Sequence, residues 1–232
     1  MLVMLTIGCS PQLDLAAALE RCSGSLDLLQ QVVSETLHKA KSEQLPEIRK
    51  AVEESDGKTA HFHSHSIKGA SATIGFVGLS ASAKELDDLV RTGTVEGALP
   101  LVDALEQELS GSCTFWSAHE AAMASALERC SGDSELLLEI AKEMSSEVVP
   151  DQLQSLKAAL KEGSAEQVNT TAVQLKDAAE AIGAAQLLSL LQPLLDASGR
   201  GSLEGCDAIM DGIQTEVENV AAFWSLVDAD ED

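Results

Sequence analysis

The chain has no tyrosine, two tryptophans and four phenylalanines, so aromatics make up only 3% of it. Hydrophobic residues still reach 45%, carried mainly by Ala and Leu, a composition that suits helices rather than sheets. Positive charge is scarce as well. Fifteen Lys and Arg stand against 38 Asp and Glu, a net charge of −23. Such a chain lacks the basic stripe that displaces counterions from a nucleic acid or attracts an anionic membrane. The charge reads as a solvated, soluble surface, or else as an acidic surface that steers a partner.

Other absences narrow the field further. The five cysteines (Cys9, Cys22, Cys113, Cys130 and Cys206) are odd in number and form no CxxC pair, which speaks against a disulfide framework and a zinc site. A reducing cytoplasm fits that usage best. No run reaches membrane-spanning length. The apolar stretch from Met1 to Cys9 is too short for one and has no basic leader; a lipoprotein-like signal ending at Cys9 is the alternative for it. Neither a GxxxxGK[ST] phosphate loop nor a kinase signature set is present, so nothing here is built to bind ATP.

What is present is a duplication. Ala18-Leu19-Glu20-Arg21-Cys22-Ser23-Gly24 returns as Ala126-Leu127-Glu128-Arg129-Cys130-Ser131-Gly132. The same offset of 108 carries Lys68 to Lys176, Ile74-Gly75 to Ile182-Gly183, Leu86 to Leu194 and Phe115-Trp116 to Phe223-Trp224. Repeats on this scale define the architecture before any element is assigned. Residues 1–12 form an N-terminal segment, 13–112 a first unit and 113–228 a second, each near the commonest domain size.

Apolar spacing and turn residues predict helices in the first unit over Asp14 to Cys22, Leu26 to Lys41, Glu43 to Glu54 with Pro46 in its first turn, Lys58 to Ile74, Gly78 to Arg91, and Glu96 to Leu109. A linker is expected over Ser110 to Ser117, where Gly and Ser interrupt the pattern. Short connections favour antiparallel neighbours. The expected fold is all-α: two tandem up-and-down antiparallel four-helix bundles, each with a short leading helix.

On a helical wheel, Ala60, His63, Ile67, Ala70 and Ile74 form one stripe, the expected core contact. His61, His65, Lys68, Gly69 and Ala72 fall on the opposite, solvent side. An exposed neutral imidazole is a nucleophile able to take a phosphoryl group. A lysine at i+3 can offset the charge that develops, and a glycine at i+4 leaves room for another protein to close over it. With no ATP site, the phosphoryl group has to come from that other protein. His61 is a neighbour that tunes the site or simply faces solvent. A metal centre on His61, His63 and His65 is not expected, because His63 points to the core and no further ligand completes the set.

His65-Ser66-Ile67-Lys68-Gly69-Ala70, followed by Ile74-Gly75-Phe76, resembles the histidine-containing phosphotransfer (HPt) domain, and its wording is similar to the phosphotransfer domain of chemotaxis-type histidine kinases. The resemblance implies that His65 is the phosphorylated residue, that Lys68 neighbours the phosphoryl group, and that Gly69 is the small position admitting the partner. It also implies a polar residue on the next helix that bonds the other ring nitrogen; Asp87 occupies that place, and being shorter than Glu it is expected to reach through water or not at all. The implied partners are a response-regulator receiver domain and a histidine kinase. No cofactor is implied on this chain, since Mg²⁺ is expected on the receiver.

At the repeat offset His65 becomes Val173, Gly69 becomes Asp177 and Asp87 becomes Leu195, while Lys176 stays. Val168, Thr171, Leu175, Ala178 and Ile182 keep the core stripe. The second unit is therefore expected to fold and to be degenerate as a phosphoryl acceptor. The leading expectation is a phosphorelay intermediate without kinase activity; the alternatives are a receiver-binding scaffold that relays nothing, and a fragment of a chemotaxis-type histidine kinase.

Overall fold

A computed structural model describes residues 14–227; the N-terminal segment, with Cys9 and the signal considered for it, lies outside the described residues. Every element among them is a helix. The chain divides into two compact units, residues 1–117 and 118–232. In the first, α1 (Leu15–Arg21) leads into α2 (Leu26–Lys39), a π-helical turn (Ala40–Gln44), α3 (Leu45–Glu53), α4 (Gly57–Thr73) and α5 (Val77–Val90). Helix α6 (Ala98–Arg129) crosses into the second unit. There follow α7 (Ser134–Glu143), a second π turn (Met144–Val148), α8 (Val149–Glu162), α9 (Ala165–Ala181), α10 (Ala185–Gly199) and α11 (Asp207–Leu226).

The starts of these helices follow from local chemistry. Asp14, Ser25, Asp56, Asp133 and Ser164 each accept a backbone N–H of the first turn, satisfying donors that have no partner within the helix. Ser23 and Gly24, like Ser131 and Gly132, adopt positive φ, so the repeated Ser-Gly pair turns the chain between the capped helices in each unit.

Two expectations fail at the joints. The helices predicted as Leu26 to Lys41 and Glu43 to Glu54 are one continuous helix, because the backbone stays right-handed helical through Ala40 and Leu45. A proline inside an α-helix lacks the N–H and crowds the carbonyl four residues back. The π turn relieves this by widening the path, with the Leu45 N–H reaching back five residues to the Ala40 carbonyl. The second unit supports that cause: the offset maps Pro46 onto Gln154, but the proline stands one helical turn earlier, at Pro150, and the π turn moves with it.

The second failure is the linker. Helix α6 runs unbroken through Ser110 to Ser117, so the leading helix expected for the second unit is the end of α6 and not a separate element. One interior glycine costs about 1 kcal/mol of helix propensity, and packing outweighs it. Phe115 meets Phe76 edge to face at 6.4 Å, Trp116 donates to the Ser34 hydroxyl at 2.9 Å, and Leu105, Leu109 and Trp116 are buried.

In the first unit α4 packs on α3 and α5. Its buried stripe is Ala60, Ser64, Ile67, Ser71 and Ile74, displaced from the expected one: His63 and Ala70 are half-exposed, and two serines take their place. Serine is tolerated there because each hydroxyl donates within its own helix, Ser64 to the His61 carbonyl and Ser71 to that of Ile67. In the second unit all five predicted positions, Val168, Thr171, Leu175, Ala178 and Ile182, are buried.

Gly75 ends α4 with φ +80°, and a Cβ there would collide with the carbonyl oxygen of Asp14, whose N–H donates to the Gly75 carbonyl at 2.8 Å. Its repeat partner Gly183, φ +68°, would collide with Met123. Gly75→Ala should therefore cost about 1–3 kcal/mol of stability, read from urea unfolding; a variant as stable as the parent would show that this contact does not tie α1 to the α4–α5 turn.

Candidate functional site

The predicted residues meet on the exposed side of α4, around a carboxylate from α5. Asp87 is only 2% exposed, and its two oxygens serve three partners. Oδ2 lies 3.3 Å from His65 Nδ1 and accepts a very short hydrogen bond from Lys68 Nζ. Oδ1 lies 2.8 Å from His61 Nδ1, but out of line for a hydrogen bond, so that contact is electrostatic. The direct contact between Asp87 and His65 replaces the water-mediated or absent one expected from its short side chain. Asp87 stands on α5, which packs extensively against α4, and from there its short side chain reaches the ring directly.

Burial alone would raise the Asp87 carboxyl. Hydrogen bonds from Lys68 and His65, with the electrostatic influence of Lys68 and His61, outweigh it and hold the group below the ordinary carboxylate range. An ionised carboxylate only accepts hydrogen bonds, so the ring nitrogen facing it carries the proton. In the neutral ring this tautomer leaves the free lone pair on Nε2, on a side chain 64% exposed. Lys68, whose Nζ is 3.2 Å from Nδ1 of the same ring, is held over the site by Asp87.

Two supporting contacts had no signal in the sequence. Gln44, in the π turn, donates to the Ser66 hydroxyl at 2.7 Å, fixing the residue beside His65 from a different helix. Ser80 of α5 donates to the Lys68 carbonyl at 3.0 Å. His61, which sequence reasoning left as a tuning neighbour or a solvated residue, shares the buried carboxylate, and its ring centroid is 5.8 Å from that of His65. Gly69 has nothing within 4 Å of where a Cβ would stand, so nothing within the protein requires glycine there.

In the second unit the equivalent surface is rewired. Val173 is 40% exposed. Lys176 pairs with Glu180 at 3.0 Å, and Arg129 reaches the same glutamate at 3.4 Å. Asn169, the counterpart of His61, meets the Ser198 hydroxyl at 3.2 Å. Lys176 thus persists as one half of an ion pair along α9. No group of three or more His, Cys, Asp or Glu among the described residues is arranged to hold a metal ion.

Residues 34–114, just over a third of the chain, match the family model described as "Hpt domain". The match supports the HPt family for this segment, which contains His65, Lys68, Gly69 and Asp87, and with it a place in phosphorelay signalling of the two-component type. Hpt domains carry phosphoryl groups without a kinase activity of their own, in exchange with receiver domains and histidine kinases. No curated protein and no solved structure matches the chain.

A depressed carboxyl stabilises the folded state above its unfolded value and loses that contribution as pH falls through the lower folded value. The stability difference between the parent and Asp87→Asn should accordingly be greatest near neutrality and shrink as pH drops below 3.8, the ordinary value for the group. Urea titrations at several pH values measure it, and a difference that grows towards acid would contradict the ionised, paired carboxylate.

Proposed function

We propose that this protein is a phosphorelay carrier in which His65 Nε2 takes a phosphoryl group from a receiver aspartate or a histidine kinase and passes it to a receiver aspartate. The contact between His65 Nδ1 and Asp87 is the observation that carries the proposal. It gives an exposed ring the tautomer that attacks through Nε2.

The step balances without an added proton carrier. With a receiver aspartate as donor, the Nε2 lone pair forms the N–P bond as the P–O bond to the donor carboxylate breaks, and the electron pair leaves with that carboxylate; with a kinase phosphohistidine as donor, the bond broken is P–N and the electron pair returns to the donor ring nitrogen. The ring keeps its Nδ1 proton and becomes cationic, a charge that the ionised Asp87 stabilises. Lys68 stands beside the incoming phosphoryl oxygens. Gly69 leaves space for the partner's backbone, His61 holds the second oxygen of Asp87, and Mg²⁺ belongs to the partner receiver.

In this proposal each unit is an antiparallel four-helix bundle with a leading helical segment, and the protein works in the reducing cytoplasm away from nucleic acid and membrane. Among the described residues no helix is long and apolar enough to cross a membrane, and Cys22, Cys113, Cys130 and Cys206 are free. The second unit is a non-transferring, HPt-like module, favoured by Val173, Asp177 and Leu195 at the three key positions and by the capture of Lys176 by Glu180. A receiver-binding role without transfer fits that unit.

Incubation with phosphoramidate, a small donor that needs no docking surface, should give an acid-labile, base-stable phosphoryl adduct on the parent chain and none on His65→Gln. An adduct that persists in His65→Gln would sink the assignment. Gly69→Asp, which copies the second unit, should fold as well as the parent and slow transfer from a phosphorylated receiver domain by about tenfold or more, through like charge at the point of approach. Unaltered transfer would remove Gly69 from the partner-facing surface.

A further inference from the structure

We propose that Phe62 is the anchor with which α4 holds a receiver domain over His65, an inference that rests on His65 being the phosphoryl acceptor. Phe62 exposes 68% of its surface, the largest exposure among the exposed large hydrophobic side chains of the described residues. Its ring touches the neighbouring His63 edge to face at 5.1 Å and adds nothing to the core. It precedes His65 by three residues and Gly69 by seven, so the three side-chain positions lie on one side of the helix, a turn apart. Any protein whose aspartate comes within bonding distance of His65 Nε2 must cover Phe62 as well.

Charge identifies the occupant. Helix α4 contains no Asp or Glu, and carries Lys58, Lys68 and three histidines, in a chain whose net charge is −23. A receiver brings a phosphorylatable aspartate together with the carboxylates that hold its Mg²⁺. Most of this acidic surface repels such a pocket, and the acid-free helix accepts it. The second unit provides the internal comparison: Thr170 stands where Phe62 would be, and α9 carries Glu166, Asp177 and Glu180. The aromatic anchor and the acid-free helix disappear in the unit that lacks the histidine.

Buried aromatic side chains near the centre of an interface dominate its affinity, so the effect of Phe62 should fall on docking and not on the chemical step. The full chain is phosphorylated with phosphoramidate and mixed in single turnover with increasing concentrations of the purified receiver domain that accepts fastest from the parent in a panel. Phe62→Ala should raise the half-saturating receiver concentration by about tenfold or more while changing the maximal rate little, and Phe62→Leu should recover most of the loss. An unchanged half-saturating concentration overturns the anchor, as does a fall in maximal rate alone, or failure of every receiver in the panel to accept. A Phe62→Ala effect on sedimentation of the chain by itself would assign the ring to self-association and overturn it too. Absence of His65-dependent labelling by phosphoramidate, in contrast, removes the phosphoryl-carrier role itself, so the two failures are told apart.

Discussion

A single buried carboxylate organises the site and ties two helices together. Desolvating Asp87 is costly, and a lone ionised acid in that position would not be tolerated. Its partners meet the cost: Lys68, His65 and His61, all on α4 and spaced at three and four residues so that they converge on one point of α5. The dependence runs both ways. Without Asp87, two imidazoles and an ammonium would crowd together with no anion between them, and nothing would select the ring nitrogen that keeps its proton. Structural tie and chemical tuning are the same contact.

The second unit shows what the fold needs when the chemistry is dropped. Leu195, half-exposed, takes the place of the buried carboxylate, so the cost of desolvating a charge at that position is gone. Asp177 replaces a mid-helix glycine, which is among the poorest helix formers. Thr170 replaces an exposed phenyl ring. Each of these changes relieves a cost that α4 carries in the free protein, and each falls on the outer face or at its junction with the next helix, while Val168, Leu175, Ala178 and Ile182 keep the inner face buried. Helical periodicity allows the separation, because the two faces of one helix answer to different neighbours.

Much of this was legible in the sequence, and what was not has physical causes. The capped starts, the positive-φ turns at Gly75 and Gly183, and the exposed face with His65, Lys68 and Gly69 follow from residue type and spacing. The merging of α2 and α3 does not, because a proline reads as a start signal unless a π turn absorbs it. The unbroken course of α6 depends on Phe76 and Ser34, distant in sequence, to anchor Phe115 and Trp116. The core stripe of α4 moved because serine, polar by composition, satisfies its hydroxyl within the helix and packs as a small residue. Asp87 was found by position, but its reach depends on the closeness of α4 and α5, which no local pattern encodes.

The contrast between the two units bears on which features of the first are structural. A lysine three residues after the acceptor position occurs in both and would be taken for a common requirement; yet Lys68 bonds the Asp87 carboxylate, and Lys176 pairs with Glu180 and Arg129 lies on the same acid. The residue is the same and its electrostatic duty is different. Gly69 supports the opposite inference. Asp177 stands in its place in the second unit, and nothing lies within 4 Å to require glycine, which favours the proposed role of admitting a receiver. A residue kept in both units is thus weak evidence for a role in transfer, and a residue that costs stability, fills no internal need and appears only beside His65 is strong evidence. By that measure Gly69 and Phe62 support the proposed working face more strongly than Lys68 does.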